Sequence, residues 1–290
     1  MRYLATFFLI AAFIFALPLA ANAEFNTIDD LAKAYSDETC KGCHAKIYDE
    51  WKKSYHSQST IHSLGGIRNF VAVGIQKEWD RPINKKDLMK CFHCHAPQLS
   101  QASDELAVKI GKLIVAAVDE KDEAKKAAAK KELEKLNVGC VICHNTIVNR
   151  PAIASLGVPE KDAMYGPAEV SAPHKTMKSN IIKESVFCGQ CHGIYNPPDS
   201  DLIMCNTLYD SYLNTYTPYG GQQTCQDCHM KEKNRGHTFP GAYVADIVKE
   251  GIEVTADATG YKHLTGTKWV PRIIVTADIY NKSGHRTPDG

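Results

Sequence analysis

Residues 91–95 read Cys-Phe-His-Cys-His. The same frame, two cysteines three apart followed at once by a histidine, stands at 40–44, 140–144, 188–192 and 225–229. The five copies use ten of the eleven cysteines. Such residues could hold structural zinc, exchange thiol for disulfide, or attach a haem. Zinc needs two cysteine pairs, or one pair and two histidines, per tetrahedral site, and five pairs divide badly. A thioredoxin-type motif would occur once, in a βαβ context that this chain does not offer. Haem c attachment uses every part: two thiols bond to the porphyrin vinyl groups, and the next residue turns its imidazole onto the iron. From 11 cysteines and 12 histidines, about 0.02 such matches are expected by chance. Five covalently bound haem c groups are therefore expected. Cys40, Cys43, Cys91, Cys94, Cys140, Cys143, Cys188, Cys191, Cys225 and Cys228 attach them, with His44, His95, His144, His192 and His229 as proximal ligands.

A second strong axial ligand makes a haem an electron carrier; an open position lets it act on a substrate. Seven further histidines bear on this choice: His56, His62, His93, His174, His237, His263 and His285. His56, His174 and His237 are the leading distal candidates, His237 because it follows the fifth motif by only eight residues. His62, His93, His263 and His285 are further candidates. The two thioethers pin His93 at the edge of its own porphyrin, so it would serve a neighbouring haem or a propionate. Met89 and Met230 lie too close to their motifs to reach the opposite haem face, and packing is their expected role.

The elements that must position these groups can be traced along the chain. Residues 47–59 and 208–220 echo one another, with apolar and aromatic side chains at 47, 48, 51 and 55 on one helical face, and both read as helices laid along porphyrin planes. A second echo sets Gly236-His237 and Pro240 against Gly284-His285 and Pro288, glycine permitting close approach to a flat cofactor. Leu106, Ile110, Leu113, Ile114 and Ala117 form a stripe that predicts a long helix or helical hairpin over 103–136. Its charged part reads as a solvated face. Residues 146–173 read as a loop around the third haem. Beyond 241, two alternating runs, GIEVTADAT and RIIVTADIYN, predict a small β-rich unit with nothing further to pair against, so that the record is expected to stop short of the natural protein. Cys205 is left over, as a buried thiol or in an intermolecular disulfide.

The first 23 residues have a positive start, an apolar run over 4–15 and Ala21-Asn22-Ala23, which predicts a cleaved export signal; an uncleaved anchor is the alternative. A periplasmic or extracellular protein is expected. The 34 basic and 33 acidic residues nearly balance, which argues against nucleic acid as a partner. One haem per roughly 50 residues predicts a mainly α fold with extensive loops, wrapped around a stacked haem array that serves as its core. Boundaries are expected at 1–23 (signal), 24–241 (haem domain) and 242–290 (β-rich segment), and the apoprotein is expected to be largely unfolded.

These residues resemble multihaem c-type cytochromes related to hydroxylamine oxidoreductase and its tetrahaem electron-acceptor cytochrome. The resemblance rests on EWKKSYHSQS, on NVGCVICH followed by YGP and His174, and on GQQTCQDCHM followed by GHTFPG, over residues 38–241. It implies stacked haems, mostly bis-histidine ligation, and His56, His174 and His237 as distal ligands. The ending NKSGHRTPDG is similar to a β-domain that follows the haem region in some relatives. Pentahaem nitrite reductases of the wider superfamily carry lysine in place of one proximal histidine, whereas here all five motifs end in histidine, which lowers the enzyme reading. An electron-transfer role between a quinol-oxidising membrane cytochrome and a terminal reductase or outside acceptor is expected. The alternatives are a reductase of nitrogen or sulfur oxyanions at an open haem, and a self-assembling cytochrome filament.

Overall fold

The computed structural model describes residues 24–148, 162–168, 170–193 and 207–289. The expected signal segment and Cys205 lie outside the described residues. Ten α-helices occur in chain order among these residues: α1 (Ile28–Ala34), α2 (Glu38–Lys52), α3 (Ser59–His62), α4 (Leu64–Asn69), α5 (Lys85–His95), α6 (Asp104–Asp119), α7 (Glu123–Leu133), α8 (Ser185–Gly189), α9 (Leu208–Thr215) and α10 (Ala245–Gly251). Four strands join them: β1 (Ala163–Gly166), β2 (Lys175–Lys178), β3 (Ile252–Thr265) and β4 (Lys268–Asn281). The chain is mainly helical, as its composition and motif spacing predict.

Side-chain oxygens set several helix starts. Asn84 accepts from the Asp87 amide at the head of α5, Ser103 from Leu106 on α6, and Asp122 from Ala124 and Lys125 on α7. Each satisfies an amide that the first helical turn leaves without a partner. Residues 103–136 form a hairpin: α6 and α7 pack together through Leu106, Ile110, Ile114, Ala117, Ala129 and Leu133, all buried. Val71, Ile75, Leu88, Phe92 and Leu99 continue this cluster, so motif 2 hangs on a core of ordinary side chains.

That core corrects the expectation that haems alone provide one. It is also one-sided. Among the described residues every buried apolar side chain except Pro240 lies at or before Tyr165, although motifs 4 and 5 follow it.

Of the segment 146–173 read as a loop, residues 149–161 and 169 lie outside the described residues; its described part holds β1, which runs parallel to β2 just beyond it, with Tyr165 beside Met177. The two C-terminal runs do form strands, and they pair with each other. β3 and β4 make an antiparallel ribbon closed by Gly266-Thr267, where Gly266 takes φ +61°, the left-handed value such a turn demands. Side chains alternate between faces in a strand. One face thus carries Ile252, Val254, Ala256, Ala258 and Leu264 beside Trp269, Ile273, Val275, Ala277 and Ile279; the other carries Glu253, Asp257, His263, Arg272 and Asp278.

Candidate haem-binding site

Each pentapeptide sits where a helix begins, ends or loosens. His44 breaks the helical path of α2 with φ −114° and ψ 37°. His95 is the last residue of α5. His144 and His229 lie in π-helical turns, Ile142–Ile147 and Asp227–Lys231. His192 follows α8, its amide bonding the Cys188 carbonyl at 3.0 Å. The geometry is what the spacing requires: two cysteines share one helical turn, and the histidine must leave the helical path to turn inward. Motif 5 is opened by a reciprocal cap: Thr224 Oγ1 accepts from the Asp227 amide at 3.2 Å, and Asp227 Oδ2 accepts from the Thr224 amide at 2.8 Å.

Four proximal histidines face a second imidazole. Ring centres are 6.4 Å apart for His44 and His174, 6.1 Å for His56 and His192, 6.4 Å for His144 and His237, and 6.3 Å for His229 and His285. A metal lies about 2 Å from an imidazole nitrogen and roughly 1 Å more from the ring centre, so a metal held between two imidazoles separates their centres by ~6 Å. All four gaps therefore fit an iron. Four separate stretches of chain keep the same separation, which packing of the rings against each other would not explain.

The outer ring nitrogens agree. Nδ1 of His144 meets the Tyr165 carbonyl, that of His229 the Pro240 carbonyl, and that of His285 the Arg286 carbonyl, each at 2.8 Å. For His174 the acceptor is the Lys175 carbonyl at 3.3 Å, and for His237 the Glu50 carboxylate lies 4.0 Å away. An imidazole that donates Nδ1–H outward presents the Nε2 lone pair inward, the arrangement typical of metal-bound histidine. Burial holds His56 at about 3, and lowers His144, His192, His229 and His237 below their ordinary value, so these rings stay neutral and able to ligate. The described cysteines form no disulfide. Among the described residues no three His, Cys, Asp or Glu side chains converge as a tetrahedral zinc site would need. The chain's own residues thus fit haem c.

The structure brings His56, His174, His237 and His285 opposite motif histidines, and leaves two other candidates elsewhere. His62 lies against the Tyr55 ring at 4.0 Å, and His263 sits on the polar face of the ribbon beside Tyr261. His93 stays on α5 between its two cysteines. The pairing is not by proximity in sequence: His237 faces motif 3, and motif 5 is faced by His285. Among the described residues no histidine ring stands at this separation from His95. Met89 packs against the main apolar core.

Three residues outside the pentapeptides support the site. Glu50 Oε2 accepts from the His237 amide at 3.0 Å, and a Cβ on Gly236 would come within 2.1 Å of that carboxylate. Gly236 also takes φ +56°. Glycine is needed there to admit Glu50, whereas the echo in the sequence suggested a cofactor face. Asp37, buried at the foot of α2, accepts from the Cys140 amide at 2.5 Å, and desolvation raises its pKa. Ser59 donates to the His95 carbonyl at 2.6 Å. Only the three-dimensional contacts reveal these roles.

The motifs are tied to one another in a definite order. Asp37–Cys140 joins motif 1 to motif 3, reinforced by Trp51 Nε1 donating to the Val138 carbonyl at 3.0 Å. Motifs 3 and 4 share an apolar cluster of Val138, Ile142, Ile147, Cys143, Phe187 and Cys191. The Cys225 amide bonds Ser185 Oγ at 3.1 Å, and the Gln226 amide group donates to the Ile182 and Glu184 carbonyls, joining motif 5 to motif 4. The His56 turn reaches motif 4 by its ring, and Ser59 just beyond reaches motif 2.

Residues 39–110 match the family model described as cytochrome c554 and c-prime. No curated protein and no solved structure matches the chain. The match supports a c-type cytochrome region of a multihaem kind, with covalently bound haem c and a role in electron transfer.

Proposed function

We propose that this chain is an exported pentahaem c-type cytochrome that passes electrons along closely packed, mostly bis-histidine haems in a respiratory chain. The observation that carries this reading is the set of four imidazole pairs whose centres stand 6.1 to 6.4 Å apart. Bound haem c supplies one-electron iron chemistry, at a potential set by its axial ligands, hydrogen bonds and burial. The polypeptide supplies the rest. Four histidine pairs would hold the irons of four haems, backbone carbonyls orient several of these rings, and the inter-motif ties keep successive motifs in contact. The fitting donors and acceptors are a quinol-oxidising membrane cytochrome on one side and a terminal reductase or extracellular acceptor on the other. The apolar run over 4–15 and Ala21-Asn22-Ala23 support export of the chain to the periplasm or outside the cell.

A second reading is favoured at one motif. His95, without a histidine opposite it among the described residues, suits a reductase of nitrogen or sulfur oxyanions at an open iron. Intact mass of the protein secreted from a host with full cytochrome c maturation tests the main reading. A mature chain beginning at Glu24 and carrying five haems is the expected product, and fewer than five would refute the count. Electron paramagnetic resonance of the same sample decides between the readings. Only low-spin ferric signals support a pure carrier; a high-spin signal lost on adding nitrite or hydroxylamine, with turnover, supports the reductase.

A further inference from the structure

Motif 1 differs from the other four in what covers it. Lys41, Gly42, Cys43 and His44 are all exposed, whereas every residue of motifs 2 to 5 is buried or half-buried. The ring facing His44 is exposed too, so His44–His174 is the pair with both members at the surface; His56, His237 and His285 are half-buried. Motif 1 is also an end of the tied series, bound to motif 3 through Asp37 and Trp51.

Charge around this exposed end is biased. Lys41 lies inside the motif with its ammonium over the Tyr48 ring, 5.1 Å from its centre. Lys46 follows by two residues with 87% of its side chain exposed, and Lys175 and Lys178, both exposed, begin and end β2 beside His174. Among the described residues of α2 the acidic groups are largely engaged. Glu38 accepts from the Tyr48 hydroxyl, and Glu50 takes the His237 amide and lies 3.9 Å from Lys46; Asp49 remains exposed. Ile47, 40% exposed, adds an apolar contact among the lysines. Small, weakly held contacts with a charged rim are what transient electron-transfer partners use.

We propose that this face, around Lys41, Lys46, Lys175 and the His44–His174 pair, is the docking port for a small acidic redox protein. The proposal rests on the electron-transfer reading and names its partner's chemistry. Opposite charge steers encounter, so the rate should be fast at low salt and fall as salt screens it.

The test uses the full haem-loaded protein, pre-reduced and mixed in stopped flow with two high-potential acceptors, an acidic blue-copper protein and a basic monohaem cytochrome c. The wild type is expected to favour the acidic acceptor, with a rate that falls as ionic strength rises. K46E/K175E, both outside the pentapeptide, is expected to lose about tenfold of that rate at low salt, on the scale of steering effects, and most of its salt dependence. An unchanged rate in the variant, or a wild type that favours the basic acceptor, would overturn the port. Dithionite reduction is the control: equal reduction of both proteins shows that haem content and fold are intact. A wild type that dithionite cannot reduce would remove the electron-transfer reading itself.

Discussion

At the scale of single residues, His285 is the sharpest case. It faces His229 at 6.3 Å with the two rings within 16° of parallel, and its Nδ1 is turned onto the Arg286 carbonyl. H285A is expected to convert one low-spin haem of the loaded protein to high spin, read by electron paramagnetic resonance, while H263A on the ribbon leaves the spectrum as it was. Unchanged spin states in H285A would remove His285 from the site. The cysteines and proximal histidines are legible in sequence because covalent attachment imposes a local spacing. Which motif each axial candidate faces is not, because an imidazole can arrive from any distance along the chain. His237 shows the difference: its closeness to motif 5 suggested one neighbour, and the fold gives it motif 3. Glu50 and Asp37 were invisible for the same reason, since an acidic residue on a helix gives no sign of which remote amide it will meet.

At the scale of elements, the Thr224–Asp227 cap that starts motif 5 gives a pH dependence with a definite sign. Hydrogen bonds from Lys231 and Thr224 hold Asp227 at about 2, below the ordinary 3.8. A carboxyl depressed by folding stabilises the fold above its unfolded value, and that contribution is lost as pH falls through the folded value. D227N should therefore lower the melting temperature near neutral pH by an amount matching about 1 kcal/mol, a usual worth for a cap. The gap from wild type should close between about pH 4 and pH 2. A gap that persists at pH 2 would show that the carboxylate charge is not the cause. The helical hairpin over 103–136 and the two C-terminal strands were readable because their apolar side chains repeat at 3–4 and at 2 residues. The β1–β2 ladder was not: four-residue strands in a segment rich in glycine and proline leave too few repeats to register, and their parallel pairing is a long-range contact.

At the scale of the whole molecule, the buried apolar side chains of the described residues, Pro240 apart, stop at Tyr165 while the Cys-x-x-Cys-His motifs continue to residue 229. The first half can bury Leu106, Ile110, Ile114 and Phe92 without a cofactor, and the second half has no comparable cluster of its own among the described residues. Cytoplasmically expressed chain that lacks haem should accordingly keep helical circular dichroism and slow amide exchange over 104–133. Proteases should cut it readily beyond residue 180, whereas the loaded protein resists over its full length. Uniform protection, or uniform collapse, would contradict this division. The pairing of the histidines also fixes a sequence of events in time. His44 waits for residue 174, His56 for residue 192, His144 for residue 237 and His229 for residue 285. If the chain is exported amino end first, as proposed, it must hold its earliest imidazoles unmatched while most of the chain is still on the far side. A pause in delivery would leave those sites open to whatever small ligand the compartment contains.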